Sequence, residues 1–589
     1  MPSQASAAAT AIAPTMLAMI ALLAGALPPL LAYSLSPSAT MLNQCAAVAL
    51  WGWWVVAVAP QQAGTMLRGP AASLGLALLL LAASVLWSMA DALPSSLGLS
   101  ALGLLAGAVL LIWAGADAAR RPGAVRLFGW YASGLLLAGL LSAAVALAQV
   151  FAPGWGEGGL IAHSGLAGRA VGNLRQPNHL CSLLQWALVA LVLLAELRWL
   201  KPVVVLAMLL LLVWAVELTA SRTGAAGLGL LALWGVLDHR LSRRARWLLL
   251  AMPVVYLVAF GAMAAWGHFE HQSLGAAARL QAESGGIDSP NTRARIWSNA
   301  LALIAQQPWA GVGFGEFNFA WSLTPFPGRP TAFFDHTHNL PLQLAVELGL
   351  PLAATVLSLS GYALWRGWRR STSAFGDTAL AGRAACMLVL TIGLHSMVEY
   401  PLWYAYFLLP TAFAWGFALG VPGSATPVSA DPSGPAWPGL VAGVALAAGG
   451  VLAVIDYHRV VVIFAPADNS PSLAERIARG QHSPLFAHHA DYAAATSGEP
   501  GPAAALGFER ATHSLLDTRL MVAWSKYLAG NGELGLAQAL ADRLREFRNR
   551  DADSFFAECA SAAQQPPFQC QPAPSAHAWR EYLAAARRR

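Results

Sequence analysis

Charge is scarce in this chain. Asp, Glu, Lys and Arg make up 11% of its 589 residues, where soluble globular proteins carry about 25%. That shortage excludes an ordinary soluble enzyme, and with 57% hydrophobic residues it points to an integral membrane protein. The net charge of +6 is spread over short arginine clusters between apolar runs, so it marks topogenic loops and argues against a nucleic-acid surface. Cysteine is also sparse, at five residues. Cys45, Cys181 and Cys386 lie in or beside apolar runs and read as core residues. Cys559 and Cys570 lie in a polar region, and they are able to pair if that region is outside the cytoplasm. A basic n-region is missing before the first apolar run, so Pro14–Tyr33 reads as a first span and not as a cleaved signal peptide.

What is abundant is apolar sequence in runs of crossing length. Runs lie near 15–33, 43–59, 71–90, 97–115, 125–151, 179–197, 202–219, 224–237, 247–266, 339–365, 381–398, 401–420 and 437–456. They predict an all-α polytopic protein of about thirteen transmembrane helices, each near the ~20 residues needed to cross. The 23 tryptophans suit many membrane–water interfaces. Arg120, Arg121 and Arg126 share one short loop, Arg240, Arg243, Arg244 and Arg246 a second, and Arg366, Arg369 and Arg370 a third. With thirteen spans all three loops fall on one side, which the positive-inside rule makes cytoplasmic, as is the N-terminus.

The polar features then fall on the far side. They are the loop 152–178, the turn Ser221–Gly224, the loop 267–337 and the segment His395–Glu399. A loop of about 70 residues is far longer than ordinary connections, and such loops are often functional. The expected division is 1–124, N-terminal transmembrane helices; 125–421, a transmembrane core with the loop 267–337; 422–456, a Pro/Ser/Ala linker and last span; and 457–589, a helical domain on the far side. Within that domain WSKYLAGNGELGLAQALADRL, residues 524–544, has the large–small alternation of a helical hairpin. It resembles a tetratricopeptide unit in a single copy.

The stretch DHTHNLPLQLAVELG, residues 335–349, places His336 and His338 where a polar loop becomes an apolar helix. Two readings stand: the histidines anchor the helix at the interface, or they titrate against a headgroup there. Arg222 follows an apolar run with almost no polar buffer, and either snorkels or has a partner. Arg293 and Arg295 open NTRARIWSNALALIAQQPW, which reads as an amphipathic interfacial helix. Arg169 and Arg175 flank the start of GNLRQPNH. Guanidinium forks match phosphate oxygens bidentately, so a lipid pyrophosphate is a natural ligand. A histidine beside it is placed to take a proton from an acceptor hydroxyl. GVGFGEF, residues 311–317, follows no strand of a βαβ unit, so its glycines read as tight turns and close packing, not dinucleotide binding. His-x-His without a second ligand cluster is a weak metal signal, and no metal or cofactor is expected.

SRTG at 221–224, the Arg293–Trp297 helix followed by PWAGVGFGEF, and HNLPLQLAVELG at 338–349 together resemble the O-antigen ligase/polymerase superfamily. GNLRQPNHL at 172–180, LHSMVEYPLWYAYF at 394–407 and the soluble C-terminal region are similar to its protein O-oligosaccharyltransferases, which glycosylate pilins and other exported proteins. The resemblance covers most of 125–589. It implies a multi-pass protein of the Gram-negative inner membrane, with its active site and C-terminus periplasmic. It implies a metal-independent glycosyltransferase whose partners are an undecaprenyl-diphosphate-linked oligosaccharide, a pilin-like acceptor protein and the bilayer. His338 would be the catalytic base. Arg222, Arg293 and Arg175 would hold the pyrophosphate. Arg169, Gln176, Asn178, Arg295, His336, Asn339, His395 and Glu399 would support the site. The rival acceptors are lipid A–core, for an O-antigen ligase, and a growing repeat, for a polymerase. A transporter would need polar groups deep in the spans, and few mid-span charges are present. Relatives often carry a glycine shortly after the HN…ELG segment, where this chain reads LGLPLAA, with Pro351 placed to change the helix locally.

Overall fold

The computed structural model describes residues 14–61, 70–271, 274–276, 279, 291–423, 435–497, 501–560, 566–575 and 577–587. Most of the linker 422–438 and part of the loop 267–337 lie outside them. Among the described residues the chain is helical, with two isolated bridges, Leu35–Ser38 and Glu157–Ile161, as its only strand pairing.

Among the described residues, eight helices are long and apolar enough to cross a membrane: Met41–Val58, Ala71–Asp91, Ser95–Ala118, Ala124–Phe151, Pro177–Glu196, Arg243–Glu270, Asp377–Ser396 and Trp437–Phe464. Pro14–Leu30, Pro202–Leu218, Arg222–Leu237 and Ala405–Gly420 are shorter apolar helices. The expected run 339–365 departs from a single span. It breaks at Gly349 into helices Leu340–Leu348 and Leu350–Ser373, and the second ends in Arg366, Arg369 and Arg370, which dilute its apolar character. Pro351 sits in the first turn of that second helix, where its missing N–H costs no helical hydrogen bond. It starts a helix and does not distort one.

Pro177–Glu196 is the central helix, with 89% of its apolar window buried, whereas Arg243–Glu270 is peripheral at 17%. Glycines let neighbouring helices meet backbone to backbone. A Cβ on Gly416 would lie 2.1 Å from the Ile112 carbonyl oxygen, and one on Gly52 2.3 Å from the Ala447 nitrogen. The arginine-bearing loops gather at one end of the bundle. Arg121 donates to the Val58 and Ala59 carbonyls, Arg240 to Ala374, Arg370 to Leu419, and Arg383 pairs with Asp238 at 2.6 Å.

At the opposite end, helices Leu473–Gly480 and Ala487–Thr496 pack on the last long helix through Tyr457, Val460 and Phe486. The later helices Thr518–Gly530 and Leu534–Phe547 share one apolar core with helices Asn291–Gln306 and Phe317–Leu323 of the long loop. That core crosses the boundary drawn at residue 457. Cys559 and Cys570 form a disulfide, which suits an oxidising compartment.

The glycines of PWAGVGFGEF meet the end of the helix Leu340–Leu348. Val312 and Gly313 donate N–H groups to the Val346 and Glu347 carbonyls at 2.9 Å, and Leu350 donates to Pro308 at 2.8 Å. Gly311 and Gly349 both have positive φ, 68° and 77°. A Cβ on either would lie 2.3 Å from a backbone carbonyl oxygen, Glu347 for the first and Trp309 for the second. Gly311→Ala and Gly349→Ala should each destabilise the fold by roughly 2 kcal/mol or more. Thermal unfolding in detergent would show a lowered midpoint for each, and unchanged midpoints would mean the two backbones are not in contact.

Candidate active site

Glu399 gathers the candidate residues. It lies just past the helix Asp377–Ser396, and its side chain is 10% exposed. Its Oε2 is 2.8 Å from His338 Nδ1, and its Oε1 is 3.2 Å from an Arg293 terminal nitrogen. Asn178 donates to Oε1 at 3.3 Å, with Gln176 at the edge of reach at 3.5 Å. These partners arrive from three elements. Gln176 caps the central helix by accepting from His179 N–H at 2.8 Å, and Asn178 lies in its first turn. Arg293 lies in the first turn of an amphipathic helix whose Ile296, Ala300 and Leu303 are buried. His338 ends the strap that runs from Leu323 to the helix Leu340–Leu348.

Burial would raise the Glu399 pKa, but the His338 hydrogen bond and the Arg293 charge outweigh it and hold the carboxyl below its usual value. Glu399 is therefore an anion at neutral pH. An anionic acceptor at Nδ1 fixes a proton there and leaves Nε2 as the ring nitrogen that faces away from Glu399. His338 has φ 55°, a conformation uncommon outside glycine, whose strain points to a functional constraint. The loop is pinned around it. Trp297 Nε1 donates to the Thr337 carbonyl at 2.9 Å, and Thr337 N–H donates to Gln343 Oε1 at 2.7 Å. Asn339 caps the next helix and donates to the Met397 carbonyl at 3.0 Å.

Arg222 is the first residue of its helix and is exposed. Ser221, which caps that helix, donates to Asn178 Oδ1 at 2.6 Å, so Arg222 enters one residue from the Glu399 network. Arg169 grips the Thr219 carbonyl at 3.1 and 3.2 Å and so braces that turn. Arg295 is exposed, two residues along the helix from Arg293 and so on another face.

Arg175 departs from the expected donor contact. Its guanidinium donates to the carbonyls of Ala32, of Ala39 at 3.0 Å and of Asn173 at 3.1 Å. It ties the turn to the segment after the first helix. His395 directs its hydrogen bond elsewhere. It is fully buried, 2.8 Å from Ser182 Oγ, edge-on to His179.

His336 takes a different place from His338. Its ring stacks on Tyr400, centroids 4.2 Å apart, and stands edge-on to Trp403. Its Nδ1 is 3.0 Å from Asp335 Oδ1, a charge contact out of line for a hydrogen bond. Tyr400, Ser221, Trp297 and His179 lie within the motifs read from the sequence, but none of them is singled out there as a site residue. The dense aromatics of EYPLWYAYF were the available signal for Tyr400.

Residues 206–357 match a family model described as O-Antigen ligase, and 170–195 match one described as Protein glycosylation ligase. Residues 383–519 match one described as Virulence factor membrane-bound polymerase, C-terminal. Among curated proteins, a general O-oligosaccharyltransferase of Acinetobacter baylyi is 27% identical over 253 residues, 42% of this chain and 43% of that relative. A ComP-specific O-oligosaccharyltransferase of the same organism is 23% identical over 265 residues, 42% of this chain and 44% of that relative. This chain is similar to the protein O-oligosaccharyltransferases. It spans less than half the length of the O-oligosaccharyltransferases it matches. The three matched segments meet at Glu399. Gln176 and Asn178 come from the glycosylation-ligase segment, Arg293 and His338 from the O-antigen-ligase segment, and Glu399 from the third.

Burial would lower the His336 pKa, but the Asp335 carboxylate raises it above the ordinary imidazole value. The Asp335 carboxyl, which burial would raise, is held at about 2 by the His336 charge. A raised folded-state histidine stabilises the fold fully below its unfolded value, about 6.5, and loses that contribution as pH rises through the folded value. The thermal midpoint should therefore fall as pH rises through that window, and Asp335→Asn should flatten the profile. Parallel profiles for the two proteins would exclude coupling between the pair.

Proposed function

We propose that this chain is an O-linked oligosaccharyltransferase. It moves a glycan en bloc from undecaprenyl diphosphate to Ser or Thr of exported proteins such as a pilin. The reaction takes place on the periplasmic face of the inner membrane. The observation that carries the reading is the Arg293–Glu399–His338 constellation, at the end of the bundle opposite the arginine loops. Similarity to two O-oligosaccharyltransferases supports it.

The chemistry follows from the charges. His338 Nε2 takes the proton of the acceptor hydroxyl as its oxygen bonds to the anomeric carbon of the glycan. Glu399 stabilises the imidazolium that forms, as the carboxylate does in a Ser-His-Asp arrangement. The bond from the anomeric carbon to the phosphate oxygen breaks, and undecaprenyl diphosphate leaves. Arg293 and Arg222 stabilise its negative charge. Arg175 is left out of the donor site because its donors hold backbone carbonyls. In this reading the activated donor supplies the driving force, and no metal is required. His336, stacked on Tyr400 and edge-on to Trp403, orders the strap and leaves the proton to His338. Thirteen spans, a cytoplasmic N-terminus and a periplasmic C-terminal region complete the proposal.

The test is transfer in proteoliposomes, with lipid-diphosphate-linked oligosaccharide offered to a mixture of pilin and lipid A–core. Wild type should glycosylate pilin. His338→Ala should lose on the order of 100- to 10,000-fold in rate, the usual worth of a general base, while still binding donor. Product on lipid A–core would move the chain to the O-antigen ligases, and wild-type transfer by His338→Ala would exclude that residue as the base. Arg222→Ala and Arg293→Ala should raise KM for the donor more than for the acceptor. Unchanged donor KM in both would remove pyrophosphate binding from their roles.

A further inference from the structure

Residues 324–339 run from the helix Phe317–Leu323 to the helix Leu340–Leu348 without regular secondary structure. They have no helical or strand ladder of their own to fix them. Yet they end at His338, whose left-handed backbone is strained and persists only where the surroundings over-determine it. Trp297, Gln343 and Glu399 supply part of that constraint.

The rest comes from the far end of the chain. Arg329, in the middle of the strap, is fully buried. It pairs with Glu546 at 3.1 Å, and its guanidinium lies 4.4 Å from the centre of the Phe547 ring. Phe326 N–H donates to Glu546 Oε2 at 3.0 Å, and Arg548 donates to the Arg329 carbonyl at 2.9 Å. Phe333 stacks on Phe547, centroids 3.9 Å apart and planes within 22°. The next residue, Phe334, stands edge-on to the His338 ring at 5.4 Å. The helix before the strap is gripped too: Asn318 accepts from Leu516 N–H at 2.8 Å, and buried Glu316 pairs with buried His513 at 2.7 Å. A region some two hundred residues later in sequence thus reaches the proposed base through two consecutive phenylalanines.

We infer that the C-terminal helical region is a positioning element for His338, acting through the stacked contact of Phe547 with Phe333. The inference rests on His338 being the proposed base. Phe333 and Phe547 set the backbone that aims the imidazole. Loss of the contact should let the strap relax toward ordinary backbone angles, and a displacement of about 1 Å at a reacting group can cost about 100-fold in rate.

The experiment compares full-length wild type, Phe333→Ala and Phe333→Tyr in proteoliposomes. Phe333 is only partly buried, so tyrosine keeps the stacked ring with its hydroxyl able to reach water. Two quantities are read. One is kcat and donor KM for transfer. The other is the rate at which diethyl pyrocarbonate modifies His338, followed by mass spectrometry of its peptide, which requires no transfer activity. Phe333→Ala should lower kcat about 10- to 100-fold with donor KM within about twofold, and should speed modification of His338 several-fold. Phe333→Tyr should match wild type in both. If Phe333→Ala does not fold, Phe547→Leu, which keeps bulk and removes the ring, is read in its place. Wild-type His338 reactivity in the ring-deleted variant would overturn the inference, whatever its kcat, and so would a tyrosine variant as impaired as the alanine one. Should wild type transfer no glycan, the functional reading fails by itself, and the modification rates still decide whether the ring holds His338.

Discussion

The Glu399 carboxylate is the constraint on which the proposed site depends. It is nearly buried, and it stays anionic because His338 and Arg293 face its two oxygens. Losing either partner would leave a nearly buried carboxylate less compensated, so the three groups hold one another in place. The arrangement also decides which imidazole nitrogen is free. Glu399 occupies Nδ1, and the basic lone pair is directed away from it. Asp335 lies 3.0 Å from His336 Nδ1 but out of line for a hydrogen bond, and His336 is held by its ring face on Tyr400.

The rest of the fold brings these groups to one end of the bundle. The central helix begins at Pro177, so the residues that cap and open it, Gln176 and Asn178, stand beside Glu399. The turn before Arg222 is tied to that same point through Ser221 and Asn178, and Arg169 braces it from behind. Gly311 and Gly349 let the long loop lie directly on the end of the helix Leu340–Leu348. The loop is also built into the C-terminal helical region through a common apolar core. What looks in sequence like a loop and a separate soluble domain packs as one body over the site.

Much of the site was legible as residue types, and less as contacts. The amphipathic pattern of NTRARIWSNALALIAQQPW reads directly, because Ile296, Ala300 and Leu303 recur at helical spacing and leave Arg293 near the face that meets Glu399. His338 stands out because a polar loop turns apolar there. Glu399 was legible only as a supporting residue, because nothing local to LHSMVEYPLW says that a histidine 61 positions earlier lies against it. Arg175 shows what residue type leaves open. An arginine in an external loop reads as a phosphate ligand, yet its partners are three backbone carbonyls, a demand that residue type cannot reveal.

By itself the sequence determined that this is a helical membrane protein with its arginine loops at one end. Those properties follow from the length, hydropathy and charge of local runs, and local runs can be read in order. Only the tertiary structure decided that the run 339–365 divides at Gly349, that Arg175 faces carbonyls, and that Phe547 reaches the strap before His338. Each of those depends on what a distant segment presents at a given point: the Trp309 carbonyl beside Gly349, the Ala32 carbonyl beside Arg175, the Phe333 ring beside Phe547. Such contacts are set by how helices cross and how loops fold back on them, and no window of neighbouring residues contains that information.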